Sequence, residues 1–222
     1  MKSSLRQGIL SPQLPKQLHT KTIEVLDDHA EYIALTISNC DLTSQAATNL
    51  LFEQVCFRHV ILNQTRLVKM RVVDSRIEAC DLSGADWEKA RFRRVEFGGC
   101  RLWGTKWLEA YLENVLFKDC EGEEAIFASA TFKSARFEKC NLREASFQEA
   151  DLTGVVFYQC DLTNADLGGT RLKGADFRGS LINGMQVGAK ELQGAIIDSV
   201  QAIQVAGLLG ITVKEIDESL HS

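Results

Sequence analysis

A spacing of five residues governs the chain from residue 42 to residue 197. In steps of five from Leu42, 30 of 32 positions hold a large apolar side chain, and only Ala47 and Gly122 do not. All eleven phenylalanines lie on this one frame. Neither the 3.6-residue period of a helix nor the alternation of a flat strand produces such a spacing. The pattern therefore predicts a coil whose sides contribute five residues each, called pentads below, with the large apolar side chain pointing inward.

A second, smaller inward position lies two residues before each large one. From Cys40 to Ala195, 27 of its 32 members are Ala, Cys, Val, Ser or Thr. Because cysteine recurs there at every fourth pentad, the coil has four sides, and residues four pentads apart stack. About eight coils at ~4.8 Å each make a rod roughly 38 Å long. The members of this cysteine ladder are Cys40, Cys80, Cys100, Cys120, Cys140 and Cys160.

Several of the pentads follow the motif A(D/N)LXX, namely Cys80–Gly84, Ala150–Gly154, Cys160–Asn164 and Ala175–Gly179. On these motifs, the sequence from about residue 32 to residue 198 resembles the pentapeptide-repeat family. The resemblance implies an all-β fold, a right-handed quadrilateral parallel β-helix. The frame contains no insertion, and a one-residue slip would turn every later phenylalanine outward. We therefore expect no loop to project between residues 42 and 197.

The limits of the pattern divide the chain into three parts. Residues 1–31 form an N-terminal lead-in and cap, in which Pro12 and Pro15 favour extended or looped backbone. Residues 32–198 form the β-helix. Residues 199–222 form a C-terminal helix and strand that cover the open end of the coil, since such an end leaves unpaired backbone.

The C-terminal part carries the signals of a capped helix. Asp198 and Gln201 have the spacing of a capping box. Gly210 is a suitable residue just past the helix end, and 211–213 reads as a short strand. An apolar stripe to cover the coil is predicted at Ala202, Val205, Ala206 and Leu209. The remaining apolar side chains are Ile203, Leu208, Ile211 and Val213. They indicate either a monomeric cap or a tail-to-tail homodimer interface.

Composition narrows the possible partners and the compartment. Lys plus Arg number 25 and Asp plus Glu number 30, a net charge of -5 that argues against direct binding of nucleic acid. No apolar stretch approaches the ~18 residues of a membrane span. Seven cysteines without a recognisable secretory signal indicate a reducing, cytoplasmic location and free thiols.

The sequence offers no catalytic residue, metal site or cofactor motif. Its histidines, His19, His29, His59 and His221, are scattered and belong to no nucleophile motif. The ladder cysteines occupy slots that Ala or Val fills elsewhere, which favours core packing over metal binding. Cys56 lies outside the inward set and is the predicted reactive thiol. Glycines recur at one outward corner position, where a positive φ is easy: Gly84, Gly104, Gly154, Gly174 and Gly194.

Two groups of outward charges remain. The first is acidic and is either a partner-binding site or a solvated face; its members are Glu109, Glu113, Asp119, Glu121, Glu123, Glu124 and Glu144. Gly122, within this group, replaces a large apolar residue and should leave a void. The second group is basic, with ten Lys or Arg against six acids from residue 66 to residue 106. It includes Arg71, Arg91, Arg93 and Arg94, and pairing across coils would involve Asp74, Asp86, Glu88 and Glu96.

Three segments resemble the Qnr-type quinolone-resistance proteins within the family: Arg76–Ser83, Leu116–Cys120 and the end from Gln201 to Ile211. This resemblance implies a non-enzymatic rod that mimics B-DNA, binds DNA gyrase or topoisomerase IV and protects it from quinolones. It also implies a homodimer joined through the C-terminal helix and strand. The alternative is a rigid protein-binding scaffold with an unrelated partner, because the repeat itself is architectural.

Overall fold

A computed structural model describes residues 8–214 of the chain and forms a parallel β-solenoid. Eight strands stack in the order β1-β3-β6-β8-β9-β10-β11-β12. No helix within residues 8–214 is long and apolar enough to cross a membrane. The elements are β1 (His19–Lys21), β2 (Glu31–Ile33), β3 (Leu35–Ser38), β4 (Ala46–Thr48), β5 (Leu51–Glu53), β6 (Cys56–Arg58), β7 (Arg66–Val68), β8 (Arg71–Glu78), β9 (Arg91–Gly98), β10 (Tyr111–Lys118), β11 (Thr131–Glu138), β12 (Val156–Tyr158) and α1 (Ser199–Leu208).

Stacked strands pair in parallel with partners four pentads away along the chain. Arg91 pairs with Tyr111, and Tyr111 pairs with Thr131. Isolated bridges continue the same register outside the strands, as in Arg101 with Glu121. The eight stacked strands are separated by about seven turns. The predicted four-sided β-helix is therefore confirmed.

We number the four sides of the coil as faces 1 to 4. Every fifth residue from 29 to 184 has a positive φ, and these residues turn the backbone from one face to the next. The predicted corner glycines all have a positive φ, between 59° and 81°, although Gly194 lies beyond this unbroken series. The central inward residues are 42, 62 and every twentieth residue to 182 on face 1; 47 to 187 on face 2; 32 to 192 on face 3; and 37 to 197 on face 4.

The inward positions form one continuous core. On face 4, Phe97, Phe117 and Phe137 are fully buried, and their rings stack with centroids 4.7 and 4.6 Å apart. All the ladder cysteines are buried and free. The expected void at Gly122 is absent, because Leu142 fills the space: its Cδ2 lies 3.1 Å from where a Cβ of residue 122 would stand.

The N-terminal end of the rod is closed by an irregular coil. β1 pairs with β3 so that His19 lies opposite Leu35, and this coil is therefore shorter than the regular ones. Ile23 and Leu26, which follow β1, are buried against the core. The backbone N–H of Leu26 donates to Oε1 of Gln45 at 2.8 Å. These contacts cover the first regular coil without a helix.

The C-terminal helix α1 begins at the predicted capping box. Asp198 accepts from the backbone of Gln201, and the Gln201 side chain accepts from the backbone of Asp198. The Gln201 amide also donates to the carbonyls of Phe177 and Ser180 at 2.6 and 2.7 Å. Gln201 is thereby buried, and this anchor determines which face of the helix meets the coil.

The predicted inner stripe is wrong in part for this reason. Val205 and Leu208 pack against the core, whereas Ala202 and Leu209 are exposed. Leu208 therefore does not belong with Ile203 on the outer side. Residues 211–213 form no strand within the described chain, so the predicted short strand after the helix is wrong.

Candidate functional site

The acidic run 109–124 wraps around the rod and does not form one surface. Glu109 lies on face 2, Glu113 on face 3 and Asp119 on face 4. One turn of the coil takes four pentads, and this run touches four successive pentads, so it visits every face. The structure groups only the last members of the run, together with the residue that stacks one coil later: Glu121, Glu123, Glu124 and Glu144, all on face 1.

The separated acids on faces 2 and 3 have basic partners. Glu109 Oε1 lies 3.6 Å from the ammonium group of Lys89. Glu113 Oε1 lies 3.7 Å from the ammonium group of Lys133. Both pairs join neighbouring coils and are partly exposed, so each neutralises local charge with little effect on stability.

Face 1 carries an acidic column along most of the rod. It holds seven carboxylates against two arginines, Arg101 and Arg143, whereas faces 2, 3 and 4 each lie within two charges of neutrality. Face 1 thus accounts for a net charge equal to that of the whole chain, -5. Its carboxylates are Asp41, Asp81, Glu121, Glu123, Glu124, Glu144 and Asp161.

Local hydrogen bonds keep the aspartates of face 1 ionised. Hydrogen bonds from Thr43 lower the pKa of Asp41. Burial works to raise the pKa of Asp81, but hydrogen bonds from Ser83 and Asn63 and the charge of Arg101 together outweigh it, and the pKa lies below its usual value. Asp161 repeats this arrangement with Thr163.

The glutamates of face 1 are exposed, apart from the half-buried Glu123, and they have few partners. Glu121 accepts a hydrogen bond from the Asn141 amide at 3.2 Å. Within residues 8–214, the carboxylates of Glu123, Glu124 and Glu144 have no ion-pair or hydrogen-bond partner. Both arginines of the face are directed to other carboxylates, Arg101 to Asp81 at 3.6 Å and Arg143 to Asp161 at 3.3 Å. The unpaired glutamates are therefore available to a basic partner.

Five of the ten basic residues between residues 66 and 106 form ion pairs in the described structure. Each of the four acids named from the sequence has a partner, but of the four named arginines only Arg94 forms an ion pair in the described structure, and Lys89 and Glu88 are adjacent residues of one coil. The predicted pairing across coils is therefore wrong in part. Arg91 lies over the Tyr111 ring at 6.0 Å from its centroid. The pairs are Arg94–Asp74, Arg66–Asp86 at 3.7 Å, Lys89–Glu88 at 2.7 Å and Arg76–Glu96 at 2.9 Å.

A strap formed by residues 8–13 crosses the corner between faces 3 and 4. Gln13 N–H donates to Asp74 at 2.9 Å, and Leu10 N–H donates to the Asn114 side chain at 3.2 Å. The strap spans two coils between these contacts. The outward residues Val73, Asp74 and Cys56 beside this corner are buried, the last at 2% exposure. Burial, followed by the charge of Glu78, raises the pKa of the Cys56 thiol. The prediction that Cys56 is reactive is therefore wrong.

Within the described residues, no group of three or more His, Cys, Asp or Glu could hold a metal ion. His19, His29 and His59 are exposed at separate places on the surface. His221 lies outside the described residues. A cavity of about 380 Å³ lies between the strap and the sheet, lined in part by Ile9, Leu116 and Arg136.

The repeat geometry decides the family. A model of the pentapeptide repeat region matches residues 35–127, 90–167 and 130–202. The chain is a pentapeptide-repeat protein. No curated protein matches it.

Several solved structures are similar to this pentapeptide-repeat protein at low identity. QnrB1, a plasmid-mediated fluoroquinolone resistance protein, is 20% identical with a TM-score of 0.49, over 88% of this chain and 100% of QnrB1. HetL from Nostoc sp. strain PCC 7120, involved in heterocyst differentiation regulation, is 19% identical with a TM-score of 0.39, over 78% and 91%. A thylakoid-lumen pentapeptide repeat protein of Arabidopsis thaliana is 16% identical with a TM-score of 0.24, over 62% and 72%.

The acidic run 109–124, taken as a continuous segment, does not show which carboxylates share face 1. The four-pentad period in the sequence contains this information, because acids whose pentads are four apart lie on the same face. The strap had no such signal, since the contacts of residues 10 and 13 follow no repeat.

Proposed function

We propose that this pentapeptide-repeat protein is a non-enzymatic cytoplasmic protein that binds DNA gyrase or topoisomerase IV through face 1 and protects it from quinolones. The observation that carries the proposal is the acidic column from Asp41 to Asp161. A topoisomerase must present a basic surface to DNA, and a rod with one acidic side is complementary to such a surface. The sequence resemblance to Qnr-type proteins supports the same partner.

The charge spacing on face 1 suits a DNA mimic. Asp41 and Asp161 are six coils apart, which is about 29 Å at ~4.8 Å per coil. Seven carboxylates over that length give roughly one per 4 Å of rod, close to the ~3.4 Å of helix axis per phosphate of one DNA strand. The two arginines reduce the net density, so face 1 should bind more weakly than DNA itself.

The test is a supercoiling assay with purified gyrase, with and without a quinolone. The wild-type protein should inhibit supercoiling at high concentration and reduce quinolone inhibition at lower concentration. The triple variant Glu121→Lys, Glu123→Lys, Glu124→Lys should lose both effects, because it reverses the densest part of face 1. Binding should also weaken steeply with salt.

A matched control reverses three acids elsewhere. Glu31, Glu53 and Asp119 lie on faces 3 and 4 and have no ion pair in the described structure. Changing these three to Lys alters the net charge equally and should leave both effects intact. Equal losses in the two triple variants would show that only net charge matters. No effect of the wild-type protein on either topoisomerase would leave the scaffold with an unrelated partner.

We further propose that the active form is a tail-to-tail homodimer. Ile203, Ile211 and Val213 are 59%, 58% and 55% exposed, more apolar surface than a monomeric cap needs to leave in water. Two eight-coil rods joined end to end would span about 80 Å at ~4.8 Å per coil. Such a two-fold dimer matches a two-fold enzyme.

Sedimentation tests the dimer directly. The wild-type protein should have the mass of two chains at micromolar concentration. Ile203→Asp with Ile211→Asp should give a monomer with an unchanged circular dichroism spectrum, since both side chains lie outside the core. A wild-type monomer at that concentration would rule out the dimer.

A further inference from the structure

Trp103 stands apart from the other tryptophans of the chain. Trp87 and Trp107 are 1% and 0% exposed, whereas Trp103 is 54% exposed. Among the Trp, Tyr and Phe side chains of residues 8–214, it is the one that is exposed. A large apolar side chain of this kind in water is costly, and tryptophan is enriched among residues that dominate binding energy at interfaces.

The position of Trp103 links it to the acidic face. It lies on face 1, in the same column as Glu123 and one coil before it. The next coil also carries Glu121 and Glu124, at ~4.8 Å along the rod. An indole beside three carboxylates is a mixed surface, apolar at its centre and negative at one side.

The indole is open on the protein's own surface. Within residues 8–214 it makes no ring contact and no cation contact. The nearby Arg101 is directed to Asp81 on the preceding coil. At the adjacent corner, Gly104 has no atom within 4 Å of where a Cβ would stand. With 54% of Trp103 exposed, a partner side chain can reach the indole.

We propose that Trp103 anchors the partner on face 1 and receives an arginine side chain of that partner on its indole ring. This inference rests on the proposed function for the choice of face 1 as the binding surface. Tryptophan is the best aromatic acceptor of cations, and a guanidinium group stacks on rings more readily than an ammonium group. The neighbouring glutamates attract the same cation. The indole and the carboxylates together therefore favour a basic protein surface that carries an arginine.

The first test uses a defined probe, fluorescently labelled octaarginine at low salt, with octalysine in parallel. Wild-type protein should prefer octaarginine. Trp103→Ala should weaken octaarginine binding about 2- to 5-fold, as expected for an exposed cation–π contact, and leave octalysine nearly unchanged. Trp103→Phe should retain part of the preference. The matched control is Ile33→Ala, since Ile33 is 49% exposed at the equivalent pentad position on face 3.

The second test uses purified gyrase and the same variants. Trp103→Ala should weaken gyrase binding at least about tenfold, as expected for a central interface tryptophan. Trp103→Ala with wild-type affinity for octaarginine, or a loss matched by Ile33→Ala, would overturn the inference. If the charge-reversed triple variant loses gyrase and Trp103→Ala does not, the proposed function stands and the anchor falls. If Trp103→Ala weakens octaarginine binding but gyrase does not bind the wild-type protein, the role of Trp103 as an arginine-binding residue is supported and the gyrase proposal is refuted.

Discussion

The phenylalanine ladder of face 4 gives a quantitative test of the fold. Phe117 stacks on Phe97 and Phe137, with interplanar angles of 9° and 5°. Truncating a buried phenylalanine costs about 3–5 kcal/mol, and each stacked pair contributes roughly 0.5–1.5 kcal/mol beyond the area that it buries. Because Phe117→Ala removes two such pairs, we expect a loss near the top of that range, about 5 kcal/mol. Phe137→Ala should behave in the same way.

Phe177 is the internal comparison, since it stacks only on Phe157 within the described residues, at 5.1 Å. Phe177→Ala should therefore cost about 3 kcal/mol, with one stacked pair lost. Arg93→Ala should cost less than about 0.5 kcal/mol, because Arg93 is exposed and has no ion pair in the described structure.

The assay is urea unfolding followed by circular dichroism, with the free energy taken from the midpoint and the slope m. Solenoid ends can unfold separately from the middle, so an unchanged m is required before losses are compared. Equal losses of stability for Phe117→Ala, Phe137→Ala and Arg93→Ala would refute the inward and outward assignment. A larger loss at Phe177 than at Phe117 would refute the role of stacking.

Three further predictions concern the core. Gly122→Leu should destabilise the protein by about 1–3 kcal/mol through overpacking against Leu142, which an unchanged melting temperature would contradict. Trp107→Phe should cost less than Trp87→Phe in the same urea assay, because the Trp107 Nε1 has no partner within the described residues while the Trp87 Nε1 donates a hydrogen bond at 3.3 Å. The contact with a neighbouring ladder thiol, together with burial, raises the pKa of Cys120 to about 12. Since unfolded thiols ionise near pH ~8.5, the thiol of Cys120 loses its proton at a lower pH in the unfolded state than in the folded state. The free energy of unfolding should therefore fall as the pH rises above that value. Rapid labelling of the ladder thiols in the folded protein would contradict their burial.

Much of the fold follows from local pattern. A five-residue frame held from Leu42 to Ile197 leaves only one arrangement that buries every phenylalanine, and the four-pentad period adds the stacking register. The capping box at Asp198 is also local, because its two hydrogen bonds join residues three apart. These features depend on neighbours in sequence or on an unbroken repeat, so the sequence predicts them.

Other features were decided by contacts that no repeat encodes. Hydrogen bonds from Gln201 to the carbonyls of Phe177 and Ser180 set the orientation of the C-terminal helix. In this orientation Leu208 faces the core, contrary to the predicted stripe. Hydrogen bonds between residues more than 40 apart in sequence hold the strap in place, and Cys56 is buried although its pentad position is an outward one.

The candidate site lies between these two cases. The sequence by itself determined which side chains point outward, and it contains the period that assigns each to a face. Only the stacked coil brings Glu144 beside Glu124 and takes Glu109 and Glu113 away from them, because each turn of four pentads returns the chain to the same face. In a solenoid, residues are close in space when they are one full turn apart, and consecutive pentads lie on different faces. The acidic segment 109–124 is therefore spread over four faces, whereas carboxylates distant in sequence lie together on face 1.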